Sequence, residues 1–526
     1  MEQSIILSLL VIPMIYRYCF WLYVTQLKEY RWDRLVEYFR TLQWKKAIMN
    51  IWFFIEVPLL IVTWITFLND KAVWILFYIV WAYLVVRNIH IIIKFIRWKV
   101  KFPKLTGRMI LVGWLTFLFL IIAFFIILWT VYNFIYPFIF ILFTFPYIFI
   151  IAINSFLLPI VNIKKRRIVK QACKVWNSVN KPVKVWITWS YGKTTVKEFL
   201  YHMLEWDDVK LLKTPEFVNS ELWVASLVIN KLKNTYDYFI CEMWAYKIWE
   251  IDTMWKIVSH NDGFLTAIWN QHLWLFWGIE NTKIAKTEII NSVAKHGGNA
   301  YVNWDDKNIR TVTFPEWARI VKYSVTEEDA DAKSNIKIIT SEGTKFEFVY
   351  KWKSYDFETN LIGDHNILNL TGILAFCIDH GVNETKLRKN MMDLEMPQHT
   401  LVLKNTTYRW RKMLIVDDSH NLSEASLFSG VRFLKYFKWE KVIIVDDILE
   451  LWKDARDVHY KVWKFTAKRV DKVMYIWENY KKSFIAWLIA AKFNQDNIIT
   501  SIDQIQDKSV VLLEWKRTEK YLDILL

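Results

Sequence analysis

The stretch Val183 to Leu200, VKVWITWSYGKTTVKEFL, restricts the fold more than any other part of the chain. A β-branched apolar run from Val183 to Ile187 leads into a turn, then Gly192-Lys193-Thr194-Thr195, then a helix-like segment. Strand, loop and helix in that order form a phosphate-binding loop, because the helix N-terminus presents free amides to an anion. Trp189 is the obstacle. Backbone amides wrap a phosphate only where the chain comes within hydrogen-bond reach of it, and an indole blocks the approach that glycine allows.

Composition accounts for the obstacle. The chain has 31 Trp and only 12 Gly, whereas glycine is normally about 7% of residues and tryptophan far rarer. Pooled, the two give an ordinary combined share. The expectation is that many Trp letters stand for glycine, as follows if the source reads UGA as glycine and the gene was translated with a table that reads it as tryptophan. The alternative is a genuinely Trp-rich membrane protein. UGG codons at Trp186, Trp189 and Trp244 would overturn the glycine reading.

Hydrophobic residues make up 54% of the 526 positions, concentrated in the first 160 or so. Five apolar segments, at roughly 4–25, 48–67, 72–94, 109–131 and 137–160, approach the ~20 residues needed to span a bilayer. Basic residues fill alternate loops: Lys28 to Lys46, Arg97 to Arg108, and Lys164-Lys165-Arg166-Arg167. The positive-inside rule then puts the amino terminus outside and everything after Asn162 in the cytoplasm, in a multi-pass inner-membrane topology. Arg17 and Arg87 fall within spans and read as snorkelling or pairing near a span end. The net charge of +16 clusters beside these segments, which points to a lipid bilayer and not to nucleic acid. Cys19, Cys173, Cys241 and Cys377 are too scattered for a zinc site or disulfide framework.

The remainder has globular composition. The expected division is a transmembrane domain at 1–163, a basic linker at 164–182, an ATP-binding α/β domain at 183–396 and a second α/β domain at 397–526. With the suspect Trp letters read as Gly, a series of motifs follows: GITGSYGKTT (186–195), TPEFVNSELG (214–223), FICEMGAYKIGEID (239–252), LTAIGNQHLGLFGG (265–278), IAKTEI (284–289), GDHNILN (363–369), VDDSHN (416–421), VDDILELG (445–452) and LLEGKR (512–517). In order and spacing the series resembles the Mur ligases, most closely the type that adds D-alanyl-D-alanine to a UDP-muramoyl tripeptide. The resemblance implies a P-loop central domain followed by a Rossmann-like carboxy-terminal domain.

It also implies roles, carried over position by position. Ser190, Tyr191, Gly192, Lys193, Thr194 and Thr195 would cradle ATP, with Thr194 on magnesium. Glu242 and His272 match magnesium ligands, and Lys286 matches a carbamylated lysine bridging to the metal, for two ions in all. Asn219 belongs to a loop aimed at phosphate and substrate. His365, Asn366 and Asn369 match the adenine-side motif, Asp418 a ribose contact, and Lys516 and Arg517 an anionic substrate group. Each has a plainer reading too: Glu242 is a strand-end carboxylate, Lys286 a lysine on an amphipathic helix, and Asp417-Asp418-Ser419 a turn after a strand.

The sequence departs from the family in places. Pro397-Gln398-His399 stands where Pro-Gly-Arg is expected, Ala267 replaces an Asn, and Asp446 a Gly. The soluble domain that grips the UDP-sugar is replaced by apolar segments. The implied reaction is ATP-dependent amide bond formation through an acyl phosphate, with UDP-muramoyl peptide and D-Ala-D-Ala as substrates. Rival readings are a membrane-bound polyglutamate-type ligase, a transporter driven by a fused ATPase, and a non-catalytic scaffold with a degenerate loop. The sequence leaves the oligomeric state open.

Overall fold

The computed structural model describes residues 2–28, 30–40, 54–55, 58, 73–97, 100–130, 146–188, 192–215, 221–243, 262–268, 280, 283–284, 287, 290, 293, 297–419, 422, 424–446, 448, 455–476, 481–514 and 518–525. Two compact units divide at Lys164. The first is helical, with α1 (Glu2–Leu27), α2 (Trp32–Arg40), α3 (Val73–Ile96), α4 (Gly107–Thr130) and the start of α5 (Pro146–Ser178). Four of the five expected apolar segments fall wholly or partly on these helices, and most of 48–67 lies outside the described residues. Two described helices, Tyr78–Ile96 and Pro146–Ser178, are long and apolar enough to cross a membrane. Their outer faces carry exposed Ile89, Ile93, Phe95 and Phe156. Inside the unit, Arg108 donates to Asn154 Oδ1 at 3.0 Å and stacks 4.3 Å from the Tyr30 ring, while Asn154 donates to the Tyr30 carbonyl. These groups answer one another where water is scarce.

The basic segment, expected as a helix and linker, is helical to Ser178: α5 runs unbroken from Pro146. Its last turns belong to the second unit, where Ala172 and Trp176 are fully buried and Trp176 meets Phe239 edge-on at 5.5 Å.

A nine-stranded sheet organises the second unit, in the order β2 (Leu211–Lys213), β3 (Tyr238–Met243), β1 (Val183–Thr188), β4 (Asp262–Leu265), β5 (Asn299–Asn303), β6 (Arg319–Ser324), β7 (Ala332–Ile339), β8 (Thr344–Tyr350) and β9 (Lys353–Thr359). The first seven are parallel, and β7, β8 and β9 continue antiparallel. β1 is buried on both faces, as a central parallel strand must be. Val185 and Ile187 enter a core with Val196, Phe199 and Leu200 of α6 (Lys193–Leu204) and Leu370, Ile373 and Leu374 of α8 (Asp364–Asp379). Trp186 enters the opposite core, with Trp176 and with Val224 and Val228 of α7 (Glu221–Lys231). Along the outer edge of β9, Arg388 of α9 (Glu384–Met392) donates to the carbonyl of Asp356.

The second sheet has the order β10 (Val402–Tyr408), β11 (Arg411–Asp418), β15 (Ser509–Glu514), β12 (Glu440–Val445), β13 (Lys472–Tyr475) and β14 (Ile498–Ile499), parallel except for β10. Helices α10 (Glu424–Phe433), α11 (Ala455–Thr466) and α12 (Lys481–Ala490) contribute Leu427, Val431, Val462, Trp463 and Phe484 to its core.

Candidate nucleotide site

β1 lies between β3 and β4, so the chain leaves it in opposite directions on the two sides. Ligands of open α/β sheets bind at such a switch point, beyond the strands' carboxyl ends. β1, ending at Thr188, and α6, starting at Lys193, meet that position. Gly192 has φ +85°, in the left-handed region that only glycine enters without strain. A Cβ there would point at the Asn369 amide and the Thr266 hydroxyl, each 3.8 Å away. Asn369 is thus beside Gly192, the residue before α6.

In the first turn of α6, the Thr194 hydroxyl donates to Glu242 Oε2 at 3.2 Å. β1 and β3 pair in parallel with Ile187 opposite Glu242, which brings the strand-end carboxylate to the first turn of the helix. Glu242 is 4% exposed, and its amide is held by Thr214 Oγ1 at 3.0 Å. Lys193 is 9% exposed; burial lowers its pKa and the Glu242 charge acts against that. A buried lysine beside a carboxylate and the amides of a helix start is equipped to neutralise a polyanion. The Thr194 hydroxyl and Glu242 carboxylate are hard oxygen donors of the kind magnesium takes.

His365 and Asn366 open α8. Asn366 is 1% exposed and donates to the Ile362 carbonyl, while the His365 ring meets Phe433 of α10 edge-on at 6.3 Å. Asp364 is held well below the usual carboxylate range by hydrogen bonding to His365, against burial, with Lys435 assisting at 3.5 Å. These contacts join the two sheets' helices. Ser190, Tyr191, Asn219, His272, Lys286, Lys516 and Arg517 lie outside the described residues, as does Trp189.

Asp418 sits 3% exposed at the end of β11 and pairs in register with Glu514 on β15, itself fully buried. Burial raises the Asp418 pKa to about 8, with the Asp417 charge adding to it, and raises Glu514 in the same direction. Gly430 of α10 makes room for this pair, since a Cβ there would lie 2.4 Å from Glu514 Oε1. Asp417 is built differently. Ser419 Oγ donates to it at 2.6 Å, and Lys404 and His399 reach its other oxygen at 3.1 and 3.0 Å. His399, at the position where the family's interdomain arginine is expected, is thereby tied to Asp417.

Four groups are not singled out by the sequence: Lys197, Glu198, Lys213 and Glu514. Lys197 is fully buried with Nζ 3.2 Å from Glu242 Oε2 and 3.3 Å from Glu198 Oε1, and Lys213 pairs with Glu198 from the other side. Glu514 is the third carboxyl of interest, at the last position of an apolar strand.

A helix start at the switch point of a mostly parallel sheet, followed by a second α/β sheet, is an arrangement suited to the phosphates of a nucleotide. Residues 187–377 match the family model of the Mur ligase middle domain. The chain is 26% identical over 237 residues to a UDP-N-acetylmuramoyl-tripeptide--D-alanyl-D-alanine ligase of Borreliella burgdorferi, covering 45% of this chain and 48% of that protein. It is 25% identical over 226 residues to UDP-N-acetylmuramoyl-L-alanyl-D-glutamate--2,6-diaminopimelate ligase 1 of Clostridium acetobutylicum, covering 40% and 45%. The chain spans about half the length of these curated relatives. In fold it is similar to MurF from Acinetobacter baumannii (TM-score 0.59, 20% identity, 68% of this chain and 80% of that one). It is equally similar to the MurF ligase of Thermotoga maritima in complex with ADP (TM-score 0.59, 21% identity, 68% and 83%).

Proposed function

We propose that the chain is an ATP-dependent amide ligase of cell-wall precursor synthesis, joining D-alanyl-D-alanine to a UDP-muramoyl tripeptide on the cytoplasmic side of a membrane to which its first unit anchors it. The observation that carries the reading is the convergence of Lys193, Thr194 and Glu242 at the switch point, 3.2 Å separating the last two. Lys193 would neutralise the β/γ-phosphate oxygens, and Thr194 and Glu242 would hold magnesium, with His272 and a carbamylated Lys286 completing a two-ion site. When bound, magnesium supplies charge neutralisation to the triphosphate. The protein's part is then positioning and exclusion of water. An acceptor carboxylate attacks the γ-phosphoryl group, ADP leaves, and the amine displaces phosphate from the acyl phosphate. Asp418, His365, Asn366 and Asn369 would border the nucleoside.

The reading requires bare backbone at 189, and a position far from the site supports glycine for tryptophan. Tyr350 and Lys353 pair across a two-residue hairpin whose central residues, Lys351 and Trp352, both have positive φ, +50° and +63°. That turn favours glycine at its second place, yet Trp352 stands there fully exposed. Peptide mass spectrometry of the native protein decides the point: a mass for glycine at 189 and 352 is expected, and tryptophan at 189 overturns the phosphate loop.

Activity is tested by ADP release from the purified full chain. Release is expected only when UDP-muramoyl tripeptide and D-Ala-D-Ala are both present. A second reading, a ligase for another acceptor such as a polyglutamate, draws on the helical unit of residues 1–164, which precedes the second unit in the sequence in place of a soluble UDP-sugar-binding domain. Turnover with glutamate and none with D-Ala-D-Ala would select it.

A further inference from the structure

Helix α6 buries two lysines one turn apart, and the proposed reaction employs only Lys193. We propose that Lys197 is a resident counter-ion for Glu242, a positioning residue that keeps a bare divalent cation out of the site and admits one chelated by a nucleotide triphosphate. The proposal rests on the reading of Thr194 and Glu242 as magnesium ligands.

Lys197 has a fully buried side chain, and its nearest groups are two carboxylates, Glu242 Oε2 at 3.2 Å and Glu198 Oε1 at 3.3 Å. Its ammonium makes no hydrogen bond among the described residues, so charge alone holds it and the hold on Glu242 can be released without breaking a directed bond. A cation arriving alone at Glu242 meets this ammonium a few ångströms away, in a dry site where repulsion is strong. The same cation chelated by a triphosphate arrives with net negative charge, and the ammonium then attracts it. When Glu242 turns to the incoming ion, Lys197 keeps Glu198 as its partner. Glu198 is in turn paired with Lys213, which also lies 4.0 Å over the Tyr201 ring. The buried positive charge is therefore never left without an opposite one, the condition under which a buried ion is tolerated.

Manganese binding to the full chain, read by electron paramagnetic resonance with and without a non-hydrolysable ATP analogue, tests this. In the unsubstituted protein, manganese alone should bind weakly and the analogue should tighten it. Lys197→Gln should tighten manganese alone by about tenfold or more, as removal of a close like charge does. By reciprocity the coupling between metal and nucleotide should shrink by the same factor, while Lys197→Arg should keep it. Unchanged or weaker manganese binding in Lys197→Gln overturns the proposal. An analogue without effect on the unsubstituted protein would instead sink the nucleotide site, leaving the Lys197 result readable. If Lys197→Gln does not fold, Glu198→Gln serves: with Glu242 as its sole partner, Lys197 should weaken manganese alone several-fold, and tighter or unchanged binding refutes the role.

Discussion

The two sheets bury ionisable groups at their carboxyl ends in opposite ways. At the first, cations and carboxylates alternate: Lys213, Glu198, Lys197 and Glu242 form a line of pairs, and Thr194 closes it. At the second, two carboxyls of like charge, Asp418 and Glu514, share a dry position. Alternation sets each charge beside an opposite one, whereas two acids confined together are pushed toward the protonated form because neither charge is solvated. Within one chain, the same strand-end geometry thus yields a site of opposite pairs and a site of two acids.

The sharpest way to break the comparison is at the charged end. Lys193→Met should lower the rate of ADP release by about 10²–10³-fold, the usual loss when one preorganised cation or donor is removed. Unchanged turnover would show that the buried line of charges has no catalytic use. Beside the two acids, Gly430→Ala would drive a methyl onto Glu514 Oε1 and Leu512, whose Cδ2 lies 3.0 Å from the Cβ position. Overpacking of this kind costs about 1–3 kcal/mol, read as a lowered denaturant midpoint.

Glu514→Gln tests the protonation itself. Raised folded pKa values mean that the stabilising contribution is complete below the unfolded carboxylate range and is lost as pH rises through the folded value, about 8 for Asp418. Unfolding midpoints should therefore fall between pH 5 and pH 8. The glutamine variant should flatten that slope and gain about 2 kcal/mol at pH 8. Ser419→Ala should have the smallest effect. Burial works to raise the Asp417 pKa, but Ser419 and Lys404 hydrogen bonds and the His399 charge outweigh it and hold it low. Its contribution is present above the unfolded carboxylate pKa and lost as pH falls through the folded one. The loss of about 1 kcal/mol near neutrality should shrink in acid, a pH trend opposite to that of its neighbour.

What the sequence made legible follows from how each signal is written. The strand, turn and helix around Lys193 are spelled by a β-branched run, a glycine and a polar helix start, all local. Glu242 is readable as the polar residue closing an apolar run. Lys197 and Glu198 are not, because a Lys-Glu pair on an amphipathic helix looks the same whether solvated or buried, and only the packing of β3 against α6 tells them apart. In the last motif attention went to the basic Lys516 and Arg517, although Glu514 closes its strand as Glu242 closes β3. The basic stretch after Asn162 reads as helix, but Ala172 and Trp176, the apolar residues that fasten its end, are too few to stand out among its lysines and arginines.

The rim of the first sheet has a further consequence. A strand border with free peptide groups invites a stranger to extend it, yet β9 has Lys353, Asp356 and Glu358 along it and Arg388 seated on the Asp356 carbonyl. At the opposite rim β2 is three residues long. Neither margin offers a newly made neighbour a ledge, so the domain can accumulate at a crowded surface without its copies fusing into one another.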